Sequence, residues 1–133
     1  MEFRTFTAED EEYPEVCAYV EGWLEEHDCP MKAAMQLTVA LEEIFVNIAH
    51  YAYPHPPGKM DLGLECEGNV IRMCFIDSGT PFDPLAKEDP DVTLSVEERG
   101  IGGLGIFMVK KTMDDVTYEF KDGKNILTLT KNI

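Results

Sequence analysis

The sequence predicts a two-layer α/β sandwich of the α+β class, a mixed but mostly antiparallel sheet with helices on one face. Three observations carry that expectation: two segments with apolar residues at helical spacing near the start, two alternating segments each closed by a short turn, and a glycine-rich stretch that opens a further helix.

Taken in order, residues 2 to 6 read as a short strand. Pro14 opens an amphipathic helix with Val16, Val20, Trp23 and Leu24 on one side, ending near Asp28. Cys29-Pro30 breaks the chain, and a longer helix runs from about Met31 to Tyr53 until Pro54, Pro56 and Pro57 stop it. Its apolar stripe is Leu37, Leu41, Ile44 and Ile48; Val39, Glu43 and Asn47 lie beside the stripe, at the edge of the core. Met60, Leu62, Leu64 and Cys66 alternate with polar or small residues, Gly68-Asn69 makes a turn, and Val70 to Ile76 completes a hairpin that delivers Asp77 at its end. Gly79, Pro81 and Pro84 then force a loop, and residues 83 to 99 are acidic and loop-like. Ile106 to Met113 reads as a short helix. Val116 to Phe120, Asp122-Gly123 and Ile126 to Thr130 read as a closing hairpin.

The 133 residues, with 44% hydrophobic and 28% charged content, are expected to form one domain, 1–133, that is soluble. The start lacks the profile of a secretory signal, which points to the cytoplasm. Eleven basic against 26 acidic residues give a formal charge of −15, which repels nucleic-acid backbones and anionic membranes, so neither is an expected partner. Cys17, Cys29, Cys66 and Cys74 form no C-x-x-C pair and read as buried free thiols. His27, His50 and His55 show no zinc-like spacing with them and read as packing or surface residues.

Glu43 and Asn47, four residues apart, project to one side of a helix. The carboxylate can accept the proton of an attacking hydroxyl, and the amide carbonyl is a hard oxygen ligand suited to magnesium. A plain helix-surface pair explains the same spacing. Asp77 ends an apolar strand, so its carboxylate is partly buried and needs a donor such as the exocyclic amine of adenine; a turn-capping Asp in Asp77-Ser78-Gly79 is the bland alternative. Gly100-x-Gly102-x-x-Gly105 matches the dinucleotide fingerprint in letters only, because Glu97-Glu98-Arg99 stands where an apolar strand is required. What survives is a phosphate loop, glycines leading into a helix N-terminus with Arg99 beside them, or simply a flexible helix entry. Held triphosphate, metal ligand and positioned base are the parts that phosphoryl transfer requires.

In this order the residues resemble the GHKL ATPase superfamily, whose shared nucleotide site is the Bergerat ATP-binding fold. Leu41-Glu42-Glu43-Ile44-Phe45-Val46-Asn47 is similar to its N box, Asp77-Ser78-Gly79 to its first glycine box, and Arg99-Gly100-Ile101-Gly102-Gly103-Leu104-Gly105 to its second. Asn47-Ile48-Ala49-His50-Tyr51-Ala52-Tyr53 and Pro81-Phe82-Asp83-Pro84 resemble the anti-sigma-factor serine/threonine kinase branch. The resemblance implies ATP and Mg2+ as cofactors, Glu43 as base, Asn47 as magnesium ligand and Asp77 as adenine reader. It implies Gly79, Gly100, Gly102, Gly103, Leu104 and Gly105 as nucleotide partners, with Arg99 as a phosphate contact. Separately, the acidic loop of residues 83 to 99 is placed to close over ATP. Tyr51 departs from the histidine often found four residues after the Asn, a peripheral difference. The implied activity is that of an ATP-dependent protein serine/threonine kinase acting on an anti-sigma-factor antagonist of the STAS type. A sigma factor as second partner comes with the resemblance; a homodimer is a further expectation, which the residues leave open. A nucleotide-dependent binding module without turnover is the alternative.

Overall fold

The computed structural model describes residues 1–86 and 103–133. Strands β1 (Glu2–Ala8), β2 (Gly58–Glu67), β3 (Val70–Asp77), β4 (Asp115–Lys121) and β5 (Lys124–Asn132) form one sheet in the order β1-β2-β3-β5-β4. Every neighbouring pair is antiparallel, so among the described residues the sheet is wholly antiparallel where a mixed one was expected. Among the described residues the α-helices are α1 (Tyr13–Glu26), α2 (Met31–Asn47) and α3 (Gly103–Thr112).

Alternation decides which sheet face is covered. Leu62, Met73, Phe75 and Leu129 turn inward and join Val20 of α1, Leu41 of α2 and Val109 of α3 in a single core. The opposite face carries polar pairs such as Arg72 with Glu65, cross-strand partners 3.2 Å apart. The helices therefore lie on one face. The closing hairpin turns at Asp122 (φ 54°) and Gly123 (φ 77°), two left-handed residues in succession, the reason an Asp-Gly pair stands there.

Pro14 sits in the first turn of α1, as the sequence implied. The second helix differs from the expectation of one helix to Tyr53: α-helical geometry ends at Asn47, and Ile48–Ala52 form a π-helical turn. A π-turn widens the helix and shifts the residues beyond it around the axis, here just where α2 meets the end of β3. Val39, expected at the core edge, is 63% exposed; Glu43, one turn later, packs against α3. All four thiols are free, but only Cys74 is buried, the other three being half-buried at element surfaces.

Candidate functional site

The inward alternation of Ile71, Met73 and Phe75 carries Asp77 into the core side at the last position of β3, where it is 7% exposed. A buried carboxylate needs donors. Its Oδ1 accepts from the Gly79 N–H (2.9 Å) and from Nδ2 of Asn125 (3.0 Å). Oδ2 has no hydrogen-bond partner among the described residues. Asn125 stands directly across from Asp77 in the β3–β5 register and is equally buried.

The loop after β3 is braced by the end of the π-turn. The Ala52 carbonyl, one of the acceptors left over at a helix end, takes the Thr80 N–H at 2.7 Å. The Tyr53 hydroxyl takes the Ser78 N–H at 3.0 Å and donates to the Lys59 carbonyl. Gly79 is required at this crossing because a Cβ there would overlap the Ala52 carbonyl oxygen.

Between α2, the sheet and the start of α3 lies a mostly apolar cavity of about 450 Å³, within the size range of small-molecule sites. Ile44, Asn47, Phe75, Ile106 and Leu127 line it, and Asp77 lies in the same wall. Tyr51, 65% exposed, stands at its rim. Asn47 and Asp77, distant in sequence, thus share one cavity.

Glu43 does not line that cavity. It sits one turn earlier on α2, half-buried, with its carboxylate against Gly105, where any side chain would overlap it. Burial raises its pKa above the ordinary carboxylate value; the Asn47 hydrogen bond opposes this and the neighbouring Glu42 adds to it. Asn47 Nδ2 donates to Glu43 Oε1 at 3.5 Å, which leaves the hard carbonyl oxygen of Asn47 for a cation. Arg99, Gly100, Ile101 and Gly102, with the acidic stretch from 87 onward, lie outside the described residues, and Gly103 and Leu104 enter only as backbone of the first turn of α3. His50 turns away to pair with Asp10 at 2.8 Å on the surface.

Sequence reasoning missed Asn125, Tyr118 and Tyr53. The legible signal for Asn125 is its phase: it shares the inward register of Leu127 and Leu129, where an amide is out of place unless it bonds something buried.

One antiparallel sheet backed by helices on a single face, with a cavity between the second helix and the sheet, is the α+β sandwich of the histidine kinase-like ATPase domains. The chain belongs to the histidine kinase-like ATPase domain family, whose model matches residues 6–131. It is 29% identical over 97 residues to the serine/threonine-protein kinase BtrW of Bordetella bronchiseptica, a match covering 72% of this chain and 68% of BtrW. It is 28% identical over 101 residues to the serine-protein kinase RsbW of Bacillus cereus, covering 73% of this chain and 62% of RsbW. Among solved structures, the RsbU and RsbW domains of Rv1364c from Mycobacterium tuberculosis match with a TM-score of 0.63 at 18% identity, over 99% of this chain and 32% of that one. SiaB, solved in a SiaB–SiaC complex from Pseudomonas aeruginosa, matches with 0.57 at 16% identity, over 98% of this chain and 89% of that one. These relatives agree with the anti-sigma-factor kinase branch of the GHKL superfamily that the three boxes resemble.

Proposed function

We propose that this chain binds Mg-ATP in the cavity between α2 and the sheet and transfers a phosphoryl group to a serine or threonine hydroxyl of a partner protein. The partner in this reading is a STAS-type anti-sigma-factor antagonist of a bacterial partner-switching system, with a sigma factor as an alternative occupant. The kinase names of BtrW and RsbW support the activity, and SiaB in complex with SiaC supports a protein partner.

The observation that carries the reading is Asp77: a buried carboxylate with one oxygen satisfied and the other without a partner among the described residues, set in the wall of an apolar cavity of about 450 Å³. An open buried acceptor calls for a donor, and an exocyclic amine on a flat apolar ring supplies one. Phe75, Ile44 and Leu127 exclude water from that ring. Asn47 offers one neutral oxygen, as suits magnesium, which takes few protein ligands and shares its shell with phosphates and water. When bound, the ion neutralises charge on the transferring phosphoryl group. Glu43, its pKa raised by burial, accepts the proton of the incoming hydroxyl. The N-terminal backbone of α3, beginning at Gly103, presents N–H groups to phosphate.

The test is thermal unfolding with and without Mg-ATP, followed by transfer of labelled phosphate to the cognate antagonist. A ligand at about 100 times its Kd adds about 2.7 kcal/mol, visible as a raised Tm. An unchanged Tm at millimolar Mg-ATP rejects the site; nucleotide-dependent partner affinity without transfer rejects the kinase in favour of a nucleotide-gated binding module.

A further inference from the structure

Asn125 is 6% exposed, and its side chain is spent entirely inside the protein. Nδ2 donates to Asp77 Oδ1 and to the Thr80 carbonyl, both at 3.0 Å, while Oδ1 accepts from the Phe82 N–H (3.2 Å) and the Tyr118 hydroxyl. Two donors on one side and two acceptors on the other permit only this orientation of the amide. Tyr118 is placed for the task as the diagonal neighbour of Asn125 across the β4–β5 pair. Burial pushes its phenol pKa up, so it remains a donor at neutral pH. An amide so saturated has nothing left for a ligand. Its effect falls on Asp77.

We propose that Asn125 is a positioning residue that sets base selectivity: by holding Asp77 Oδ1 together with the Gly79 N–H, it presents Oδ2 as an acceptor at the Asp77 wall of the cavity and so selects a 6-amino over a 6-oxo purine. The inference rests on the reading of Asp77 as the base-contacting residue. The physical reason is orientation: Oδ1 is held by the Asn125 amide and the Gly79 N–H, which fixes the plane of the carboxylate and leaves Oδ2 as an acceptor, a partner for an amine and not for a carbonyl. Without Asn125 only the Gly79 N–H holds the carboxylate, which can then turn and discriminates less between the two purines. The ionisable groups bonded to Asn125 are Asp77 on β3 and Tyr118 on β4; Tyr53 after the π-turn in turn faces Asp77, and Asp83 in the following loop faces Tyr118.

The experiment measures, by calorimetry from pH 5.5 to 8.5, the affinities of Mg-ATP and Mg-ITP for the wild-type chain and for D77N, N125L, N125D and Y118F. Wild type is expected to prefer ATP. N125L lowers the ATP-to-ITP ratio by about tenfold or more, the scale of a lost hydrogen bond to a charged group. Y118F lowers it less, because the Phe82 N–H still orients the amide. N125D sets two carboxylates within hydrogen-bond reach, which share one proton; the protonated dyad reproduces the missing donor, so its ATP affinity nears wild type at acid pH and falls as pH rises. A loss of packing alone has no such recovery. If wild type fails to bind Mg-ATP, or D77N keeps the wild-type ratio, the reading of Asp77 falls and the inference with it. If D77N loses the preference while N125L keeps it and N125D shows the wild-type pH profile, that reading stands and Asn125 is only structural. Should N125L not fold, the near-isosteric N125D profile decides alone.

Discussion

The wall of the cavity formed by β3 and β5 and the edge formed by α2 and α3 each carry one carboxylate, and the two are held in opposite ways. Asp77 is 7% exposed, tied by two hydrogen bonds, and braced through Gly79, Thr80 and Tyr53 to the end of the π-turn. Glu43 is half-buried, with one long bond of 3.5 Å to Asn47 and a glycine for a neighbour. A group that recognises a ground-state feature gains from being fixed before the ligand arrives. A base must approach a hydroxyl that another protein brings, and its geometry tightens only in the complex. The difference between wall and edge therefore fits binding on one side and chemistry on the other.

The largest effect that would separate them is at Glu43. E43Q keeps the shape and the acceptor for Asn47 but not the base, so phosphoryl transfer should fall by roughly 10²- to 10⁴-fold while Mg-ATP affinity changes little. Steady-state transfer paired with calorimetry reads both; unchanged transfer removes Glu43 as base. Next comes Gly79→Ala. Its Cβ meets backbone at Ala52, which cannot swing aside, so we expect a loss of about 1–3 kcal/mol in denaturant unfolding, together with weaker ATP binding.

Gly105→Ala sharpens the comparison because the overlap there is with the end of a flexible side chain. Alanine favours the helix over glycine by up to about 1 kcal/mol, which offsets the cost of moving Glu43. Stability should stay within about 1 kcal/mol of wild type, and transfer should drop roughly tenfold as the carboxylate is displaced. If G79A and G105A instead produce the same signature, wall and edge are not held differently.

The same contrast explains what could be read from the sequence. The Leu37-Leu41-Ile44-Ile48 stripe, the Asp122-Gly123 turn and the two hairpins obey local periodicity, and all stand in the structure. Glu43 and Asn47 were legible because their partnership lies within one helical turn. The wall was only half legible: Asp77 announces itself at a strand end, whereas its partner lies 48 residues later and is fixed by strand register, which no local pattern encodes. The change to a π-turn after Asn47 was also invisible, since Ile48 to Ala52 carry the same letters as a continuing α-helix. The exposure of Val39 depends on tertiary contacts that spacing alone does not report.

The smallest expected effect is on stability against pH, and it belongs to the edge alone. Burial raises the pKa of Glu43 above the ordinary carboxylate value. A carboxyl with a raised folded pKa binds its proton more tightly folded than unfolded, so the folded state is penalised once the group must ionise. Well below the ordinary carboxylate pKa both states are protonated and nothing is lost; as pH rises from the unfolded pKa through the raised folded one the penalty grows to its full value and then stays constant. E43Q carries no such penalty. The variant should therefore match wild type in acid and exceed it slightly at neutral pH, a difference kept small by the partial exposure of the side chain. Chemical denaturation of both proteins from pH 4 to 8 measures it. A variant that gains most in acid would show Glu43 stabilised in its ionised form, and the edge would then be as tightly held as the wall.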